Sequence, residues 1–168
     1  MFPQRLSATM GGLTLVCLLF LLSLSGTAQA KARLDFQSCF QAASARYQID
    51  TRLLMAIAEV ESGMNPAAIG VNRNRKGQII SRDFGLMQIN STHVPKLQAL
   101  GVLRNEQDLL NQPCLNVMVG GWVLARHLQV CGVTWECLGS YNAGFAEDNG
   151  RRRMLYARKV YARYTGGR

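Results

Sequence analysis

The chain has 168 residues and a formal net charge of +9, from 19 Lys and Arg against 10 Asp and Glu. Hydrophobic residues make up 48% of it, which is enough for a packed core and too many for a disordered chain. The charge favours polyanions, but no aromatic stacking motif is interleaved with the basic residues, which argues against a nucleic-acid partner.

The first thirty residues read as a secretory signal peptide. Arg5 supplies the positive start, Leu13 to Leu24 the apolar core, and Ala28-Gln29-Ala30 a small-x-small cleavage site. The apolar run is shorter than the roughly 20 residues of a membrane span. An uncleaved anchor is one alternative. A lipoprotein is another, but it would need Cys17, which lies inside the apolar core. Cleavage near Ala30 leaves one domain, residues 31–168, exported to the periplasm. Four cysteines remain, Cys39, Cys114, Cys131 and Cys137. An even count in an exported chain points to two disulfides. Three pairings exist. A local bridge between Cys131 and Cys137 closes easily across GVTWE and leaves Cys39 for Cys114. No structural zinc is expected, because there is no CxxC pair and His93 and His127 lack ligand spacing.

Most of the remainder has helical periodicity. Phe36, Cys39, Phe40, Ala43 and Tyr47 form an amphipathic stripe. Asp50 is an N-cap for a helix starting at Thr51 and stopping near Gly63, with Pro66 beyond. Ala67 to Phe84 is polar and Gly-broken, a loop or a small hairpin turning at Lys76-Gly77. Ser91 caps a short helix with Pro95 in its first turn. Gln112 to Val130 is apolar nearly all round, so it predicts a helix buried inside a bundle. Gly120-Gly121 within it leaves room for another backbone. A short helix over Thr134 to Tyr141 and a last one over Arg151 to Tyr164 complete a mainly α domain.

The second of these helices carries Glu59 and Glu61. On a helical wheel at 100° per residue, Glu61 lies about 40° from Ile57, within the apolar arc, whereas Glu59 lies about 200° away, beside Arg52. Glu61 therefore turns toward the core near the helix C-terminus. Lost solvation and the negative end of the helix dipole both raise its pKa. A carboxyl that stays protonated near neutrality is a general acid. The bland alternative is a rim position where Glu61 meets solvent or a lysine.

Three segments follow in order: ESGMNP from Glu61, GLMQIN from Gly85 and YNAG from Tyr141. Together they resemble the signature of the soluble-lytic-transglycosylase (SLT) family, and the last helix, with Tyr156, Val160 and Tyr164, is similar to that family's final motif. The resemblance spans roughly Phe36 to Tyr164. Small size, Cys39 and NQPCLNVMVGGWVLA resemble an IagB-like branch attached to type III and type IV secretion, pilus and conjugation machines.

The resemblance implies a lysozyme-like fold with a groove for peptidoglycan glycan strands. It also implies a lytic transglycosylase, which cleaves the β-1,4 bond between N-acetylmuramic acid and N-acetylglucosamine and closes a 1,6-anhydro ring. Glu61 would act as acid and then as base, with no metal or organic cofactor. Ser62 would position Glu61 by a hydrogen bond. Met87 and Gln88 would line the groove, with Gln88 donating to the sugar. Tyr141 and Asn142 would hold the glycan, and Tyr156 would reach Glu61 or the sugar. Read without the family, these residues are a helix-end serine, core packing, a C-cap turn and a packed aromatic. Asp83 departs from many members, since it stands where lysozymes carry an aspartate on a hairpin. It is either a second catalytic carboxylate, giving hydrolysis with Glu61, or a turn residue. A third reading is a non-catalytic glycan-binding or assembly module. The basic loop Arg73 to Lys76 and the run Arg151 to Arg153 either attract wall carboxylates and phosphates or are solvated surface.

Overall fold

The computed structural model describes residues 36–166; the signal peptide expected over 1–30 lies outside them. Two helices come first, α1 (Gln37–Tyr47) and α2 (Thr51–Ser62). Three antiparallel strands follow, β1 (Ile69–Arg73), β2 (Ile79–Phe84) and β3 (Ile89–Asn90), in the order β1-β2-β3. Then come the short helices α3 (Val94–Ala99) and α4 (Asp108–Asn111), the long α5 (Pro113–Cys131), α6 (Trp135–Ala143) and α7 (Gly150–Gly166). This is the mainly helical, lysozyme-like domain that the sequence anticipates, with a small sheet at one side.

Local chemistry sets the bounds of α2. Asp50 accepts the Arg52 N–H at 2.7 Å, which satisfies one of the free donors at the helix start. Gly63 ends the helix in the left-handed region at φ +62°, where a Cβ would be strained. Between them, Leu54 and Ile57 are fully buried, each stabilising the fold by about 1.5–3 kcal/mol. The same side of the helix carries Glu61 to the rim of the core.

The polar segment after α2 resolves as the hairpin. Asn74 organises its turn: its Oδ1 accepts from Lys76 N and Gln78 N, and Gly77 takes φ +78°. The third strand has only two residues and left no periodic trace in the sequence. Nor does Ser91 act as the expected cap. Asn90 accepts from Thr92 N at 3.0 Å, while Ser91 Oγ accepts from Arg82 N at 3.1 Å and so ties the segment to β2.

Helix α5 runs through the centre, as its all-round apolar character requires. Gly120 and Gly121 do admit close neighbours, but these are side chains and not backbone. Cβ atoms built there would sit 2.7 Å from Met87 Cβ and 2.8 Å from the Tyr47 ring. True backbone proximity occurs at Gly139 in α6, where a Cβ would collide with the Arg153 carbonyl of α7. Disulfides join Cys39 to Cys114, linking α1 to α5, and Cys131 to Cys137, closing the turn before α6. At the far end of α7, Tyr164 donates to Asp50 at 3.0 Å, so the last helix holds the cap of α2.

Candidate functional site

A groove of about 590 Å³ opens between the sheet and the ends of α2, α5 and α6, and Glu61, Asp83, Gln88, Tyr141 and Asn142 all line it. Glu61 enters from the last turn of α2 and is half-buried. The buried Tyr156 of α7 donates its hydroxyl proton to Glu61 Oε1 at 2.6 Å. Burial pushes the Glu61 carboxyl up to about 7, and the Asp83 charge adds to this, while the Tyr156 hydrogen bond and the Lys159 charge oppose it. Glu61 thus sits at the core rim within the field of a lysine, with its carboxyl raised toward neutrality. Such a carboxyl can donate to an ether or glycosidic oxygen.

Asp83 stands on β2, paired with Gly70 of β1 and Asn90 of β3. Its two oxygens accept from Asn72 Nδ2 and Asn90 Nδ2, each at 2.7 Å. Both amides also donate to Ser81 Oγ at 3.0 Å. Because side chains two apart on a strand share a face, Ser81 and Asp83 build one polar ladder with Asn72 and Asn90 along the groove wall. Asp83 is thus a fixed acceptor within the sheet and not a turn residue.

Tyr141 and Tyr156 hold their protons well above the usual phenol range, first through burial and then through the Glu61 charge. Tyr141 donates to the Met87 carbonyl at 2.8 Å, so its ring borders the groove while its hydroxyl is committed to the scaffold. Asn142 is exposed at the groove edge.

Three expectations need correction. Met87 does not line the groove: it is fully buried, packed on Gly120 of α5. Ser62 does not bond Glu61. Its hydroxyl lies 2.8 Å from the Leu86 carbonyl and 3.1 Å from that of Ala58, and so it pins α2 to the loop after β2. Gln88 does not offer its amide protons to a sugar, since Nε2 donates to the carbonyls of Gly85 and Ala68.

The sequence reading missed Asn116. Fully buried in α5, it accepts from Met87 N at 2.8 Å and donates to the carbonyls of Phe84 and Leu109 at 2.7 and 3.0 Å. It thereby fixes the whole GLMQ loop. A lone amide in an otherwise apolar helix was the available signal. Both histidines were also missed as groove residues. Burial, followed by neighbouring positive charge, lowers the pKa of His93; His127 is lowered first by burial too. Ser140 Oγ donates to the Cys137 carbonyl at 2.6 Å and lies 2.8 Å from His127 Nδ1. The single hydroxyl proton is thereby used, so Nδ1 carries the imidazole proton and Nε2 is an acceptor. Among the described residues, no group of three or more His, Cys, Asp or Glu is placed to hold a metal ion.

A helical domain with a half-buried, protonatable glutamate facing a polar sheet is the architecture of the transglycosylase SLT domain, whose family model matches residues 38–162. The chain belongs to that family. A peptidoglycan-binding-like protein of Escherichia coli O157:H7 is 48% identical over 128 residues, covering 76% of this chain and 77% of the relative. The invasion protein IagB of Salmonella typhimurium is 40% identical over 126 residues, covering 75% of this chain and 74% of that one. Protein IpgF of Shigella flexneri is 40% identical over 126 residues, covering 75% and 78%. The chain therefore falls in the IagB-like branch.

These comparisons correct the activity expected from the motifs. The named relatives are described as peptidoglycan-binding-like, as an invasion protein, or by a bare protein name, and none of the three as a transglycosylase or lyase. Glycan-lyase activity and the enzyme class that went with it are accordingly withdrawn for this chain.

Proposed function

We propose that this chain is an exported peptidoglycan-binding module that seats a glycan strand in the groove over Glu61 and serves the assembly of an envelope-spanning secretion, pilus or conjugation apparatus. The observation that carries the reading is the pairing of a protonatable Glu61 with the amide and hydroxyl ladder of Asn72, Ser81, Asp83 and Asn90 across one groove. Sugar hydroxyl and N-acetyl groups need both donors and acceptors at fixed positions, and a prearranged wall lowers the ordering cost of binding. Glu61, Asp83, Asn142 and the rings of Tyr141 and His127 meet the strand; Tyr156 sets the proton on Glu61; Ser62, Gln88 and Met87 fix the loop beneath. Two disulfides fit an oxidising compartment outside the cytoplasm, such as the periplasm. The relatives' descriptions as peptidoglycan-binding-like and invasion proteins support the glycan and the assembly role respectively.

Co-sedimentation of the purified protein with isolated cell-wall sacculi tests this. Saturable binding is expected, tightest below about pH 7 where Glu61 is protonated. Absence of binding would overturn the reading. Release of soluble muropeptides, lost in Glu61→Gln, would overturn its non-catalytic part.

A further inference from the structure

The arginine run at the start of α7 divides by role. Arg153 is committed: it pairs with Glu136 at 3.0 Å and donates to the Ala146 carbonyl at 2.9 Å. Arg152 instead lines a second pocket of about 460 Å³ together with Lys159, one heptad later on the same helix face. Its remaining walls include Val60, Leu155 and Tyr156, together with Glu61 and Asn142. The last two also belong to the first groove, so the two pockets meet over Glu61. The walls on either side differ. One is the Asn, Ser and Asp ladder; the other is cationic, and α7 contains no Asp or Glu at all. Neither Arg152 nor Lys159 has an ion pair or hydrogen bond among the described residues. Glu61, uncharged below about pH 7, does not neutralise them there.

We propose that Arg152 and Lys159 form an anion subsite adjoining Glu61, which takes a carboxylate borne by the muramoyl residues of the strand whose sugars occupy the first groove. The proposal rests on the glycan-binding reading. A ligand suited to both walls is neutral and hydroxyl-rich at one end and anionic at the other. A guanidinium and an ammonium across one pocket suit a carboxylate, the first as a fork and the second as a point charge. In peptidoglycan two sources share that chemistry: the stem peptide, and the lactyl carboxylate of muramoyl residues that carry no peptide.

The test uses the full chain and three probes: peptide-bearing glycan strands, strands stripped by an amidase so that only the lactyl carboxylate remains, and a neutral N-acetylglucosamine oligomer. Arg152→Gln, Lys159→Gln and the double variant are compared with wild type by titration calorimetry, with the exposed Arg151→Gln as a charge control. The double variant should lose about tenfold in affinity for anionic strands and stay within about twofold of wild type on the neutral oligomer. Loss on stripped strands alone assigns the lactyl carboxylate, which is amide-bonded in intact strands; loss on peptide-bearing strands alone assigns the stem peptide; loss on both shows that the subsite takes either carboxylate. Equal loss on all three probes, an equal loss with Arg151→Gln, or no loss while wild type still binds would overturn the subsite and leave the binding reading standing. Failure of wild type to bind any probe would overturn both.

Discussion

At the scale of single residues, Glu61 concentrates the chemistry. Its carboxyl ionises near 4.5 in an ordinary environment and at about 7 here, chiefly because burial opposes the charge. The folded chain therefore holds this proton more tightly than the unfolded chain does. The associated stability is fully present below about pH 4.5 and is lost as pH rises through 7. Glu61→Gln keeps an acceptor for Tyr156 and removes the titration. Wild type should lose up to about 3 kcal/mol relative to that variant between pH 4.5 and 8 in urea unfolding; parallel profiles would count against the buried, protonated state. Tyr156→Phe removes a hydrogen bond that favours the charged form, so the Glu61 pKa should climb above 7 in a carboxyl-carbon NMR titration, and a downward shift would contradict the geometry. Glu61 itself was legible in sequence because helical periodicity is local: four residues from Ile57 is one turn. Gln88 lines the groove as expected, but Ser62 and Met87 were placed wrongly and Gln88 was given the wrong partner, because no local pattern encodes a bond from Ser62 to Leu86 or from Gln88 to Ala68.

At the scale of elements, the GLMQ loop shows how a distant helix can dictate a site. Asn116 makes three hydrogen bonds to three backbone groups and is fully buried. Asn116→Ala should cost about 3–4 kcal/mol in equilibrium unfolding. It should also weaken glycan binding although no glycan touches it; a loss under 1 kcal/mol would show that the loop holds its own shape. The helices themselves were readable from their ends, with Asp50, Gly63 and Thr134 each acting locally as cap or stop. The sheet was only half readable. Asn74 and Gly77 mark the hairpin turn, but β3 exists because β2 is beside it, and two residues carry no period of their own. The polar ladder was hidden for the same reason, since Asn72, Asp83 and Asn90 become neighbours only through strand register.

At the scale of the whole molecule, covalent ties stabilise the architecture unequally. The Cys39–Cys114 bridge spans 75 positions and the Cys131–Cys137 bridge spans 6. Chain-entropy reasoning gives about 4 kcal/mol for the long loop and about 2 kcal/mol for the short one. Replacing Cys39 and Cys114 with Ser should therefore lower the thermal midpoint more than replacing Cys131 and Cys137; the reverse order would show that the turn before α6, and not the clamp between α1 and α5, limits unfolding. The basic helix α7 has a further consequence. On the proposed glycan-binding reading, six cations along one helix with no anion among them would meet a polymer mesh rich in fixed negative charge. Each encounter off the groove would then be weakly adhesive, and the molecule would travel by short hops between like sites. Its spread would then depend on ionic strength, shortest in dilute surroundings where these charges are least screened.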